Sequence, residues 1–350
     1  MPQLTFPIAP SDIETLERCP VCKETGRIED VTEVMTEEKT VFLTTAVCHA
    51  CRMIFRRRRP RLDWFERMWS LRSAVQKQKG HVPFNSEIEK ERHARYARTA
   101  TLLKQYGSGS KVIDIGCGPA TGLRAFSEAG FTATGLEPDQ SRARFVNVPE
   151  VEIIEMTIEQ YAPMAEASFD SATCQHSLEH FHQPREVLSL IASLIRPGGL
   201  IYIEVPDWRQ HVKDWNDALY LAHMNNFVEE SLISLGQRVG LQLAGQIFPK
   251  GGSEGETHLG CIFRKTTGMR TEKHKPASAA FLEQVRSVYR RKLNDSPPAG
   301  VVRFVVPYIN DISLTYKIDP TVIRMTIREN LADRRANFVR KANLYRVCYA

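Results

Sequence analysis

Lys111–Asp139 reads KVIDIGCGPATGLRAFSEAGFTATGLEPD. Val112, Ile113 and Ile115 form a short β-branched apolar run, broken by Gly116-Cys117-Gly118. Pro119 suits the first turn of a helix, where its missing N–H is not needed. A helix over Ala120–Ala129 and a strand over Thr132–Leu136 follow from the pattern. Gly116 and Gly118 let backbone approach a ligand without an intervening Cβ. Glu137, at the end of the second strand, can accept hydrogen bonds from two ribose hydroxyls. NAD-binding chains carry a similar turn and acid, so the turn alone does not decide the ligand. Asp114 lies two residues before the first glycine. A carboxylate there is a poor neighbour for a pyrophosphate and a good one for a cation.

The continuation narrows the choice. SFDSATCQHSLEHF (Ser168–Phe181) reads as a strand running into a loop, and LIRPGGLIYIEVPD (Leu194–Asp207) as helix end, turn and strand. Strands over Val151–Glu155, Phe169–Cys174, Leu200–Val205, Leu241–Phe248 and His258–Arg264 bring the total to seven, with helices over Pro184–Ile195 and Phe227–Val239. In this order, from Phe84 to Lys265, the motifs resemble the class I S-adenosylmethionine (SAM)-dependent methyltransferases. The resemblance implies an α/β, Rossmann-like core whose last two strands are an antiparallel hairpin. It implies a SAM site of Asp114, Gly116, Cys117, Gly118, Glu137, Pro138 and Gln175, with Thr157 and Ile158 beside the adenine.

Outside that core, Cys19-Pro-Val-Cys22 and Cys48-His-Ala-Cys51 stand 25 residues apart. Four thiolates on two tight knuckles can close a tetrahedron around one zinc ion. Thiol–disulfide exchange needs one such pair, and disulfides are disfavoured in a reducing compartment. His49, inside the second knuckle, reads as a neighbour of the metal. Ser11–Phe55, with strands over Arg27–Val34 and Thr40–Val47, reads as a zinc ribbon too small to fold without its ion. Arg56–Arg59 and Arg61 follow, as a phosphate-binding patch or a solvated hinge.

The 350 residues, 42% hydrophobic and 25% charged, have the composition of a soluble protein with one α/β core and smaller modules. No apolar run reaches the ~20 residues of a membrane span. The start, MPQLTFPIAPSD, lacks the pattern of a signal peptide, so the expected location is cytoplasmic. The net charge of +6 is uneven: from Lys265 onward 17 Lys/Arg face 7 Asp/Glu. Either an anionic partner or a solvated helical surface accounts for that. Helices are expected over Asp63–Arg72, Ser86–Tyr106, Pro276–Leu293 and Thr321–Tyr345. The second of them, with Arg92 and Tyr96, lies where the resemblance places the cover of the SAM pocket. The expected division is a zinc ribbon over 1–60, a helical connector over 61–108, the core over 109–266 and a basic helical extension over 267–350.

Acceptor chemistry belongs at the carboxyl ends of the strands, in the loop carrying His176, Glu179 and His180. Histidine titrates near neutrality and suits general-base work. The segment Asp207–Phe227, with Trp208, His211, Trp215, Tyr220 and His223, has the composition of an acceptor-pocket wall. A four-cysteine module before this core resembles the zinc-containing sugar C-methyltransferases, in which a His following a Glu is the base; Glu179-His180 match that pair. The resemblance implies a small-molecule acceptor, a sugar, a nucleotide-linked sugar or a related intermediate. The last 85 residues, basic and helix-rich, depart from that family, which carries a second α/β domain there. The alternative is a zinc-ribbon RNA methyltransferase acting on rRNA or tRNA, favoured by the arginine run and the basic tail.

Overall fold

The computed structural model describes residues 4–5, 10–35, 41–79, 87–139, 151–211, 222–247, 258–266 and 276–294, with short segments 314–317, 324–326 and 346–348. The chain forms two compact units. One comprises Met1–Met68, Asp207–Ser231 and His274–Ala350, the other Trp69–Pro206 and Leu232–Lys273.

In chain order the first unit starts with β1 (Leu4–Thr5), β2 (Ile13–Thr15), β3 (Ile28–Met35), β4 (Val41–Cys48), β5 (Ile54–Pro60) and helix α1 (Leu62–Lys79), which runs on into the second unit. The second unit holds α2 (Glu87–Tyr106), β6 (Lys111–Ile115), α3 (Thr121–Glu128), β7 (Thr132–Leu136), β8 (Val151–Ile154), α4 (Ile158–Tyr161), β9 (Phe169–Gln175), α5 (Pro184–Leu194) and β10 (Ile195–Pro206). The chain then returns to the first unit for α6 (Trp208–His211), β11 (Asn225–Asn226) and the start of α7 (Glu229–Arg238). β12 (Leu241–Ile247) and β13 (His258–Lys265) complete the second unit, and α8 (Ala279–Asn294), β14 (Leu314–Lys317), β15 (Arg324–Thr326) and β16 (Arg346–Cys348) the first.

The second unit is a Rossmann-like sheet of seven strands in the order β12-β13-β10-β9-β6-β7-β8, parallel except for β13, which runs antiparallel to both of its neighbours. The strand period of two sorts its residues. Ile113, Ile115, Ala172, Cys174, Ile201 and Ile203 face one side and are buried apolar groups. On the other side, register sets Asp114 beside Thr173, Thr173 beside Tyr202 and Gln175 beside Glu204. Tyr96, Ala100 and Leu103 of α2 pack with Leu123 and Phe126 of α3 and with Phe131, Leu200 and Tyr202. Each such large apolar group contributes about 1.5–3 kcal/mol by leaving water. This packing holds α2 over the polar row.

In the first unit β11-β5-β4-β3-β15 form one sheet, with β2 also paired to β5. The arginine run lies inside it. Arg56 and Arg59 are buried, and the side chain of Arg59 meets Glu14 at 2.8 Å while Arg57 meets Asp30 at 3.1 Å. The stretch expected as a patch or a hinge is therefore a core strand with its own carboxylates. Trp208 is also a correction: it sits in an apolar cluster with Val31, Val47, Ile54, Val228 and Val285. The side chains of His211, Trp215 and Tyr220 lie outside the described residues. α8 fulfils the helix expected over Pro276–Leu293, and Arg286 on it binds Glu29 of β3 through two hydrogen bonds of 2.7 Å. Within the helix expected over Thr321–Tyr345, Arg324–Thr326 is instead a strand paired with Glu33–Met35; the remainder lies outside the described residues. Among the described residues no helix is long and apolar enough to cross a membrane.

Candidate cofactor and acceptor site

The glycine turn leaves β6 with both Gly116 and Cys117 donating their N–H groups to the carbonyl of Leu136. Gly116 has φ 75° and Gly118 φ 56°, left-handed values that favour glycine. A Cβ on Gly116 would stand 2.5 Å from Ser177 Oγ, so the loop after β9 crosses the turn at contact distance. Ala120 (φ 59°) also takes the left-handed conformation, ahead of α3. Strained backbone of this kind concentrates at functional sites. At the end of β7, Glu137 is buried and accepts N–H hydrogen bonds from Gly118 (2.9 Å) and Asp139 (3.0 Å), one on each oxygen. A carboxylate offers about four acceptor positions, which leaves it capacity for hydroxyl donors.

Asp114 is fully buried, and Thr173 donates its hydroxyl to it at 2.5 Å. Burial pushes its carboxyl up to about 6, against the pull of the Thr173 and Tyr96 hydroxyls and of Arg95. Gln175 is buried, and its Nε2 has no hydrogen-bond partner among the described residues. Buried polar atoms are normally satisfied, so this amide suits a ligand acceptor. Thr157 caps α4 reciprocally with Gln160, and Ile158 is buried behind it; Pro138 is exposed and Cys117 buried. The turn, the ribose-type carboxylate, the buried acid and the orphaned amide together fit a SAM molecule.

Beyond β9 lies a chain of titratable groups. His176 is itself left-handed (φ 52°), and its backbone N–H donates to the carbonyl of Glu204 at 2.9 Å. Its Nε2 is 3.3 Å from Glu204 Oε1, its Nδ1 3.9 Å from Glu179 Oε1, and its ring meets the His258 ring edge-on at 4.2 Å. His180 Nε2 is 3.8 Å from the same Glu179 oxygen, and its side chain is 32% exposed against 2% for Glu179. Burial drives the Glu179 carboxyl up to about 8, against the pull of Arg95. Glu204 shows the opposite balance. Burial would raise it, but His176, Arg95 and Tyr202 outweigh that and hold it at about 2. The structure thus gathers all three expected groups and adds Glu204, Tyr202 and Arg95.

Residues 88–245 match a family model described as a methyltransferase domain. A ubiquinone biosynthesis O-methyltransferase of Paracidovorax citrulli (strain AAC00-1) is 34% identical over 101 residues, 27% of this chain and 42% of that protein. An uncharacterized 37.1 kDa protein in transposon TN4556 of Streptomyces fradiae is 28% identical over 144 residues, 39% of this chain and 41% of that protein. The chain therefore spans under half the length of either relative. A solved 1,6-didemethyltoxoflavin-N1-methyltransferase of Burkholderia thailandensis is similar at 18% identity and TM-score 0.42, covering 61% of this chain and 96% of that one.

The four cysteines of the first unit also come together. Their sulfurs all lie within 4.8 Å of one another, with Cys19–Cys51 and Cys22–Cys48 at 3.5 Å. A disulfide would need about 2.05 Å, whereas tetrahedral Zn–S bonds of about 2.3 Å place sulfurs about 3.8 Å apart. The two knuckles are backbone duplicates. Lys23 and Arg52, one residue past each pair, both have φ 63°, and their N–H groups donate to the carbonyls of Cys19 and Cys48. The N–H groups of Cys19 and Cys48 donate in turn to the carbonyls of Glu24 and Met53. His49 points elsewhere, to Glu29 at 2.9 Å. The arrangement fits a closed, structural zinc site.

Two outcomes are expected for this site. Glu137→Ala should weaken SAM binding by about 1–3 kcal/mol, the cost of stranding hydrogen-bonding partners, read by titration calorimetry; unchanged affinity would move the ribose elsewhere. SAM affinity should also fall as pH drops through about 6, where Asp114 takes up its proton and no longer faces a cationic ligand as an anion. Stability has the opposite sign. The unfolded carboxyl ionises near 3.8 and the folded one near 6, so the ligand-free domain loses stability as pH rises between them. Asp114→Asn should flatten both profiles in calorimetry and thermal melts.

Proposed function

We propose that this chain transfers a methyl group from SAM to a small-molecule acceptor, a sugar, a nucleotide-linked sugar or a related biosynthetic intermediate. The observation that carries it is the Glu179–His180 pair, held at the carboxyl end of β9 in a loop whose Ser177 touches the glycine turn. Bound SAM supplies a methyl made electrophilic by its sulfonium: the acceptor–methyl bond forms, the methyl–sulfur bond breaks, and the electron pair stays on sulfur. The protein orients the acceptor and takes its proton. His180, part-exposed, is the base. Glu179 behind it orients the imidazole or holds an acceptor hydroxyl. Asp114, Gly116, Cys117, Gly118, Glu137, Pro138, Thr157, Ile158 and Gln175 bind the cofactor; Cys19, Cys22, Cys48 and Cys51 hold structural zinc.

A small acceptor is supported over RNA by the fate of the arginine run, which is folded into β5 with Glu14 and Asp30 as partners. Metabolite profiling of a deletion strain should show a compound lighter by one methyl group. An unchanged metabolite pool beside RNA that has lost a methyl would replace this reading with the RNA one.

A further inference from the structure

The methyltransferase sheet carries a carboxylate that no base or cofactor role absorbs. Glu204 stands in the middle of Leu200–Pro206, an otherwise apolar run on a strand paired on both sides. An ionisable group is seldom buried there unless paired. Glu204 is paired from three elements. Arg95 Nε reaches it from α2 at 3.3 Å, His176 Nε2 from the β9 loop at 3.3 Å, and Tyr202 donates its hydroxyl at 2.6 Å. The last contact has a visible device: a Cβ on Gly260, opposite Glu204 on β13, would lie 2.7 Å from the Tyr202 oxygen, so only glycine admits the phenol.

From Glu204 a line of groups leads outward. His176 lies against Glu204 on one nitrogen and Glu179 on the other, and Glu179 lies against His180. The side chains become more exposed along it, 9% at Glu204, 14% at His176 and 32% at His180, with Glu179 the buried link at 2%. His176 pays for its place with a left-handed backbone. That conformation is disfavoured for a non-glycine residue unless its surroundings fix it.

We propose that Glu204 is a positioning residue for methyl transfer: clamped by Arg95 and Tyr202, it fixes the His176 imidazole, which through Glu179 sets the orientation and basicity of His180. This rests on His180 being the base proposed above. No new bond is made in the relay; the acceptor proton goes to His180, and the buried anion favours its cationic form from a distance. Among the described residues, His176 meets Glu179 of its own loop, Glu204 of β10 and His258 of β13; Arg95 of α2 and Tyr202 of β10 meet Glu204, and His180 meets Glu179.

The test uses the full chain. Glu204→Gln keeps an acceptor for Tyr202 and removes the charge. With S-adenosylhomocysteine bound, imidazole NMR should show His180 titrating at lower pH than in the wild type, because an anion that stabilised its cation is gone. Transfer of label from tritiated SAM into a small-molecule extract of the deletion strain should slow roughly ten- to hundredfold, with SAM affinity within about twofold. Glu204→Asp should restore part of the rate. If Glu204→Gln does not fold, His176→Asn, which tolerates positive φ, should show the same titration shift. An unmoved His180 titration at wild-type rate overturns the proposal; so does a rate that falls only in step with melting temperature and SAM affinity. His180→Ala separates the two readings. If it is inactive while Glu204→Gln is silent, only the positioning role fails; if it is fully active, the base assignment fails first.

Discussion

A chain in which Cys22 and Cys48 are both serine is expected to bind no zinc and to lose the fold of the unit built on β3–β5. The magnitude decides this. A structural four-thiolate zinc site contributes about 10–16 kcal/mol, as much as the whole stability of an ordinary domain, about 5–15 kcal/mol. Cys19, Cys48 and Cys51 are at most 2% exposed, so the double variant would also leave buried thiols and hydroxyls with no ion to bind them. Elemental analysis of the purified wild type should give one zinc per chain, and that of the variant none. Solubility should be lost before SAM affinity, since the residues proposed to bind SAM sit on a unit with its own core around Leu123, Phe126 and Leu200. A double variant that keeps a full equivalent of zinc would rule the site out.

Loss of the His180 imidazole is expected to lower turnover by ~10²–10⁴, the usual worth of a general base. SAM affinity should stay near normal, because the residues proposed to bind the cofactor, Glu137, Gly116 and Asp114, lie on other elements. That split between rate and binding separates a chemical role from a packing one. His180 is one-third exposed, so truncation should cost little stability. His176 differs: with Glu204 and Glu179 on its two nitrogens and φ 52°, its removal should disturb the loop as well. A His180→Ala protein that folds, binds SAM and turns over at the wild-type rate would end the assignment.

What could be read from sequence was local. Strand, glycine turn, helix and strand over Lys111–Leu136 follow one another within 26 residues, and their boundaries hold to within a residue. The two knuckles were equally legible, because each is closed by its own backbone. Long-range pairing was not. Arg59 looked solvated because its partner, Glu14, lies 45 residues away and meets it only through the β2–β5 pair. Arg324–Thr326 has helical company in sequence, yet pairs with β3 some 290 residues earlier. Glu204 was missed although a signal existed: a carboxylate inside LIYIEVP, a run apolar enough to be buried on both faces, must have a partner. Nothing local says that the partners are Arg95 and His176.

Methyl transfer from SAM to a small molecule is the activity proposed for this chain. The most direct measurement incubates zinc-loaded protein and tritiated SAM with extract from cells lacking the gene, then separates small molecules from RNA and protein. Label should appear in the small-molecule fraction with wild type and fall by at least about a hundredfold with His180→Ala. Label confined to RNA or protein, or none transferred by a chain that binds SAM, would contradict it.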